Sequence, residues 1–146
     1  IEEAKADISG LFALQFLIDK GQLDKGLEKT MYTTFLASAF RSLRFGINEA
    51  HGRGQAIQLN YLLDQGGFTV NTDGTFEVDT AKIRDAVTGM TREIMTLQAE
   101  GSYTKAKQMI DTLGTLRPPT KAVLDKLTAV PVDIEPRFVT ALDLLK

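Results

Sequence analysis

The chain has 146 residues, with 17 Lys and Arg against 19 Asp and Glu and a formal net charge of -2. That balance argues against a broad electrostatic grip on nucleic acid or an anionic membrane, and no apolar run approaches the roughly 20 residues of a membrane span. With no Cys and a single His, disulfides, thiolate chemistry and any His-rich metal site made by this chain alone are excluded.

Hydrophobic residues make up 43% of the chain and charged residues 25%, enough to build a core. Residues 1–146 are read as a single unit of ordinary domain size. The chain opens on Ile1-Glu2-Glu3-Ala4-Lys5-Ala6-Asp7, which reads as helix interior with no capping Ser, Thr, Asp or Asn before it. The expectation is therefore that more of the same protein precedes it.

Ile1, Ala4, Ile8, Leu11, Phe12 and Phe16 form an apolar stripe at helical spacing that predicts a helix to about Lys20, stopped by Gly21. A second helix is expected from Asp24 to Leu43, with Leu27, Met31, Phe35, Leu36, Ala39 and Phe40 on its apolar face. Phe45-Gly46 ends it. Two glycines closely follow His51 in Asn48-Glu49-Ala50-His51-Gly52-Arg53-Gly54, and each weakens a helix by about 1 kcal/mol relative to Ala. The next helix is accordingly expected from Gln55 to Gln65.

Phe68-Thr69-Val70 and Thr75-Phe76-Glu77-Val78 alternate as strands around Asn71-Thr72-Asp73-Gly74, a hairpin signature. A calcium-loop reading of this turn fails, because Thr69 and Thr80 stand where the first ligand and the bidentate Glu belong. A long amphipathic helix is expected from Asp79-Thr80 to Glu100-Gly101, then a shorter one over Ser102–Leu113. Pro118-Pro119 is expected to break the chain before a last short helix, Thr120–Leu127. The tail contains Pro131, Pro136 and the apolar stretch from Val139. The fold class expected is mainly α with one small hairpin at about residues 68–78.

Three groups could carry chemistry. Glu3 and Asp7 lie four residues apart and share a helix face with Glu2 nearby; together they could hold a metal, a protonated His or an Arg, or be an ordinary acidic first turn favoured by the helix dipole. His51 lies between small residues that allow a ligand to come close, and it could donate to a developing negative charge, or be a helix-end His bonded to backbone. Arg41, Arg44 and Arg53 could bind a carboxylate on a substrate or partner, or form a solvated helix end.

The opening Glu2-Glu3-Ala4-Lys5-Ala6-Asp7 resembles the second zinc motif of the dipeptidyl-peptidase III family of metallopeptidases, Glu-Glu-x-Lys/Arg-Ala-Asp/Glu. Phe40-Arg41-Ser42-Leu43-Arg44-Phe45-Gly46, followed by Ala50-His51-Gly52, is similar to the bacterial and plant-type members, some of them linked to a Nudix module. The similarity runs over most of the chain, through the hairpin to Pro131-Val132-Asp133. It implies that Glu3 is the third protein ligand of a catalytic zinc. Glu2 and Asp7 would orient the zinc-binding histidines, and His51 would contact substrate and stabilise the transition state. The animal-type enzymes carry basic residues four and nine positions after that His, where this chain has Gln55 and Asn60.

The family's first motif, His-Glu-x-x-Gly-His or a one-residue-longer form, lies upstream of the second and is absent from this sequence. It supplies two zinc ligands and the general base. The resemblance therefore implies a helical, C-terminal part of a larger catalytic lobe, whose partners are the rest of its own polypeptide and short peptide substrates. The complete protein would remove dipeptides from peptide N-termini; this chain alone would neither bind zinc tightly nor hydrolyse peptides. Lack of Cys suits a reducing compartment, so a cytoplasmic location is expected. The competing reading is a helical interaction or scaffolding domain with no chemistry.

Overall fold

The computed structural model describes residues 1–131 and 144. Val132-Asp133, Pro136 and the tail from Val139, apart from Leu144, therefore lie outside the described residues. Helix α1 (Glu2–Asp19) buries Ala4, Ile8, Leu11, Gln15 and Ile18, the three-and-four spacing that keeps one face inward. Ile1 is its N-cap and makes no side-chain cap bond. Gly21, at φ 68, ends it as expected, because the Gln22 and Gly21 amides then turn back onto the Leu17 and Ile18 carbonyls.

Helix α2 (Leu27–Leu43) buries Tyr32, Leu36, Ala39 and Leu43. It starts three residues later than the apolar stripe suggested, because Asp24 spends its carboxylate on the Gly26 amide at 2.7 Å instead of entering the helix. The Tyr32 hydroxyl donates to Gln15 Oε1 at 2.7 Å and ties α2 to α1. Burial pushes that phenol up to about 12.

Helix α3 (Ala50–Asp64) is the centre of the unit. It packs against α1, α2, β1 and the next two helices, and nine of its residues are buried. Its start corrects the expectation that Gly52 and Gly54 would keep the segment out of the helix. Glu49 accepts from both the His51 and Gly52 amides, satisfying two of the donors that a helix start leaves orphaned. That cap and the burial around it outweigh the glycine penalty.

Strands β1 (Phe68–Val70) and β2 (Phe76–Val78) pair antiparallel, with Phe68 opposite Val78 and Val70 opposite Phe76. The turn closes with Gly74 at φ 81 and with Asp73 accepting from the Thr75 amide at 2.9 Å. Phe76 meets the Phe40 ring edge-on at 4.9 Å, which docks the hairpin on α2.

Helix α4 (Ile83–Ala99) begins after, not at, Asp79-Thr80. Asp79 instead stands ahead of it, its side chain accepting from the Ala81 amide at 2.9 Å. It buries Ile83, Ala86, Val87, Met90, Ile94 and Leu97 against α1 and α3. Each fully buried Ile or Leu of such a face contributes roughly 1.5–3 kcal/mol. Helix α5 (Tyr103–Leu113) is capped by Ser102. Helix α6 (Pro118–Lys126) starts at the proline pair that was expected to break the chain. Proline suits the first helical position, where its missing N–H would have no partner anyway. A short 3-10 turn, Leu127–Ala129, follows. One continuous apolar core joins α1 to α5 and the hairpin, and no described helix is long and apolar enough to cross a membrane.

Asn60 is buried in α3 and donates to the carbonyls of Leu113 at 2.7 Å and Thr115 at 2.8 Å. It thereby holds the α5–α6 connection onto the central helix. Replacing it with Leu leaves two carbonyls without a donor, and chemical unfolding should show a loss of about 2 kcal/mol or more.

Candidate active-site cleft between the starts of α1 and α3

The cleft exists because α1 and α3 approach closely. A Cβ on Gly54 would lie 3.0 Å from Glu3 Cβ and 3.1 Å from the Ala4 amide nitrogen, so even Ala would require α1 to give by a few tenths of an ångström. A Cβ on Gly52 would lie 1.8 Å from the Gly46 carbonyl oxygen, which excludes every other residue while the α2–α3 connection stays where it is. The two glycines thus set the position of α3 between the end of α2 and the start of α1.

That approach brings Glu3 and His51 together. His51 Nδ1 and Glu3 Oε2 are 2.9 Å apart, with the imidazole 73% exposed and the carboxylate 37% exposed. Beside them is a cleft of about 320 Å³, lined by Ile1, Glu2 and Glu3, by Ala50, Arg53, Gly54 and Ile57, and by Ile110. His51 keeps its backbone amide on Glu49 Oε2 at 2.9 Å, so its ring is free to be directed by what it meets.

Asp7 sits one turn further along α1. Its Oδ2 accepts from Gln55 Nε2 at 2.5 Å and from Gln58 Nε2 at 3.4 Å. Glu2 is exposed and bonded to Lys5 Nζ and Gln98 Nε2, each at 2.5 Å. The Lys5 ammonium holds the Glu2 carboxyl below its ordinary value.

The three arginines do not act as one group. Arg53 lies along the cleft, its stem against Gly114 and its Nε donating to the Ile47 carbonyl at 2.9 Å. Arg44 donates to the Val130 carbonyl. Arg41 lies in the last turn of α2, and neither Arg41 nor Arg44 is among the described residues lining this cleft.

Asn60 holds backbone inside the core, as above, so at that position the chain offers nothing to a peptide terminus. Gln55 is likewise buried and faces Asp7. Sequence reading noted both only as departures from a basic pattern. Their roles, and that of Gln58, depend on which face of α3 meets α1, and that is settled only by packing.

A larger cavity, about 740 Å³, opens between α3, α4 and α5. Its Asp64 is held by the two terminal guanidinium nitrogens of Arg117, at 2.5 and 2.8 Å, and its Lys105 is paired with Glu100 at 2.6 Å. The cleft at Glu3 is smaller, but the carboxylate that lines it is in contact with the sole imidazole beside it, so the chemistry favours it. Among the described residues no group of three His, Cys, Asp or Glu side chains converges to hold a metal ion. Glu3, a partly exposed carboxylate beside an imidazole, fits one of the about three protein-ligand positions of a catalytic zinc; the others are not supplied by the described residues.

No protein-family model matches the chain. Over its described length it has the fold of a segment of dipeptidyl-peptidase III. The structure of that enzyme from Corallococcus sp. strain EGB matches 97% of this chain at 60% identity and a TM-score of 0.89. The structure from Caldithrix abyssi matches 98% at 40% identity and a TM-score of 0.90. Nudix hydrolase 3 of Arabidopsis thaliana is 50% identical over 140 residues, 94% of this chain. The chain spans 26% and 28% of the two solved structures and 18% of the plant protein.

The Glu49 cap has a pH signature. The Gly52 amide first, and then the His51 amide, hold its carboxyl below the ordinary value of 4.5. A depressed folded-state value stabilises the fold above that ordinary value, and the contribution is lost as pH falls through the depressed one. Glu49→Gln should therefore be less stable than the parent at neutral pH, and the gap should close as urea titrations are taken down past 4.5.

Proposed function

We propose that this chain is a segment of the catalytic lobe of a zinc-dependent exopeptidase that removes dipeptides from the N-termini of short peptides. The contact between Glu3 and His51 at the α1–α3 cleft carries this reading. It supports placing the two residues of the resembled motifs in one centre, although 48 positions of sequence separate them. The extent of the match to two dipeptidyl-peptidase III structures supports the reaction class. The plant relative's Nudix name describes a protein of which this chain matches under a fifth; a Nudix module elsewhere in such a protein is compatible with the same reading.

In the complete protein Glu3 would be one ligand of the zinc. When bound, the metal would polarise a carbonyl and lower the pKa of a water to about 7. Asp7, braced from α3, and Glu2, held by Lys5 and Gln98, would be the orienting carboxylates of the site. His51 has an exposed ring whose Nδ1 is fixed by Glu3, so its other nitrogen is directed outward. Glu3 only accepts, so Nδ1 carries a proton, and in the imidazolium form the outward nitrogen would donate to the oxygen that gains charge as the peptide bond is attacked, a contribution typically of 10²–10³-fold when such a donor is removed. Arg53, with its stem along the cleft wall, would face a substrate carboxylate; Arg41 and Arg44 would act further from the reacting centre. The remaining ligands and the base would come from the rest of the polypeptide, and the lack of Cys fits a reducing, cytoplasmic setting.

The complete protein tests this. Glu3→Ala should lose zinc and peptidase activity together while its unfolding temperature changes little. Wild-type turnover in that variant would remove Glu3 from the metal. His51→Ala should lower turnover by about 10²-fold or more with metal content unchanged by elemental analysis; zinc lost together with the imidazole would make His51 a ligand instead.

A further inference from the structure

The interface between α1 and α3 contains two buried amides that an apolar interface would not need. Gln58 is fully buried and Gln55 is 9% exposed. Both turn their Nε2 toward the same atom, Asp7 Oδ2, and Gln58 Nε2 also reaches the Ala4 carbonyl at 3.2 Å. The orientation is chemically fixed. An ionised carboxylate and a carbonyl only accept, so the nitrogen of each amide must face them and the oxygen must turn away. Those two amide oxygens, Gln55 Oε1 and Gln58 Oε1, are buried with no partner among the described residues. A buried orphan acceptor is costly, so the arrangement is sustained by what the donors do. They fix one oxygen of Asp7 from the side of the core and leave Oδ1 with no described partner.

We propose that Gln55 and Gln58 are positioning residues that brace Asp7 so that its second oxygen is presented to a zinc-binding side chain in the complete protein. The proposal rests on the reading of Asp7 as an orienting carboxylate. An unbraced Asp on an exposed helix face samples several rotamers, whereas a carboxylate held by two amides from a neighbouring helix keeps one. The amides therefore act on the metal through Asp7 and touch neither metal nor substrate. They also couple the site to the α1–α3 spacing that Gly54 sets, because a shift of α3 moves the brace and His51 together.

The test uses the complete protein and measures zinc affinity by competition with a chelator, alongside thermal unfolding. Gln55→Met keeps the side-chain length and removes the donor; Gln58→Met does the same one turn further on, and Gln55→Glu keeps the shape while replacing the donor by a repelling oxygen. The expected result is zinc binding weakened by about 10-fold or more in Gln55→Met, weaker still in Gln55→Glu, with no further loss when Gln55→Met is added to Asp7→Ala. Wild-type zinc affinity in all three glutamine variants, with Asp7→Ala still weakened, would overturn the brace and leave the role of Asp7 intact. Equal and additive losses from Gln55→Met and Asp7→Ala would also overturn it, since the amide would then act independently. Wild-type affinity in Asp7→Ala itself would overturn the reading of Asp7 on which the brace depends. Should Gln55→Met fail to fold, Gln58→Met carries the same comparison.

Discussion

The close approach of α1 to α3 is the constraint on which the rest of the structure depends. Helix α3 is buried on most of its circumference, so its neighbours can close around it only if it is narrow where they meet. Gly52 under the Gly46 carbonyl and Gly54 against Glu3 and Ala4 supply that narrowness. Without side chains at these points, the first turn of α3 can lie against the first turn of α1. Everything chemical in the cleft follows: Glu3 faces His51, Asp7 faces Gln55, and Arg53 runs along the wall toward α5. Glycine is usually a weakness inside a helix. Here the Glu49 cap and the surrounding contacts offset that weakness, and the missing Cβ atoms are what permit the contact.

A buried central helix would ordinarily be apolar all round. Helix α3 instead carries Gln55, Gln58 and Asn60 in the interior, and each donates to a group on another element. Asn60 fastens the α5–α6 connection, while the two glutamines meet α1 at Ala4 and Asp7. Apolar contacts fill the space between helices but set their relative position loosely, whereas hydrogen bonds across an interface fix rotation and register. The polar interior of α3 thus explains why the residues of the cleft keep their relation to one another. It also explains why a basic residue at position 60 would not be accommodated in this arrangement: its charge would be buried with no carboxylate beside it.

Element by element, the sequence and the structure part company where a local signal competes with packing. The α1 stripe, the Gly21 stop, the hairpin and the α4 face follow from short-range rules of periodicity and turn chemistry, and they stand as the sequence implies. Asp24 and Asp79 resembled first-turn residues yet lie ahead of their helices, because an Asp side chain can hold backbone amides only from outside the helix. Pro118-Pro119 resembled a break and is a start. His51 and Glu3 were legible as candidates, one from its residue type among glycines and the other from its motif, but as separate ones.

Among the described residues, the sequence by itself determined the kind and order of the α-helical segments and the hairpin; it also determined the absence of thiol chemistry and the residues worth suspecting. It could do so because these depend on residue type and on spacing within a few turns. The tertiary structure alone decided that His51 bonds Glu3, and packing joined the local Glu49 cap in letting α3 begin before its glycines. It also decided that a larger cavity lies away from Glu3, and that Gln55, Gln58 and Asn60 face inward. Those outcomes turn on which faces meet across distances of 48 residues and more, and no local pattern encodes a distance between two helices; the atoms missing from Gly52 and Gly54 set it only once the helices are packed.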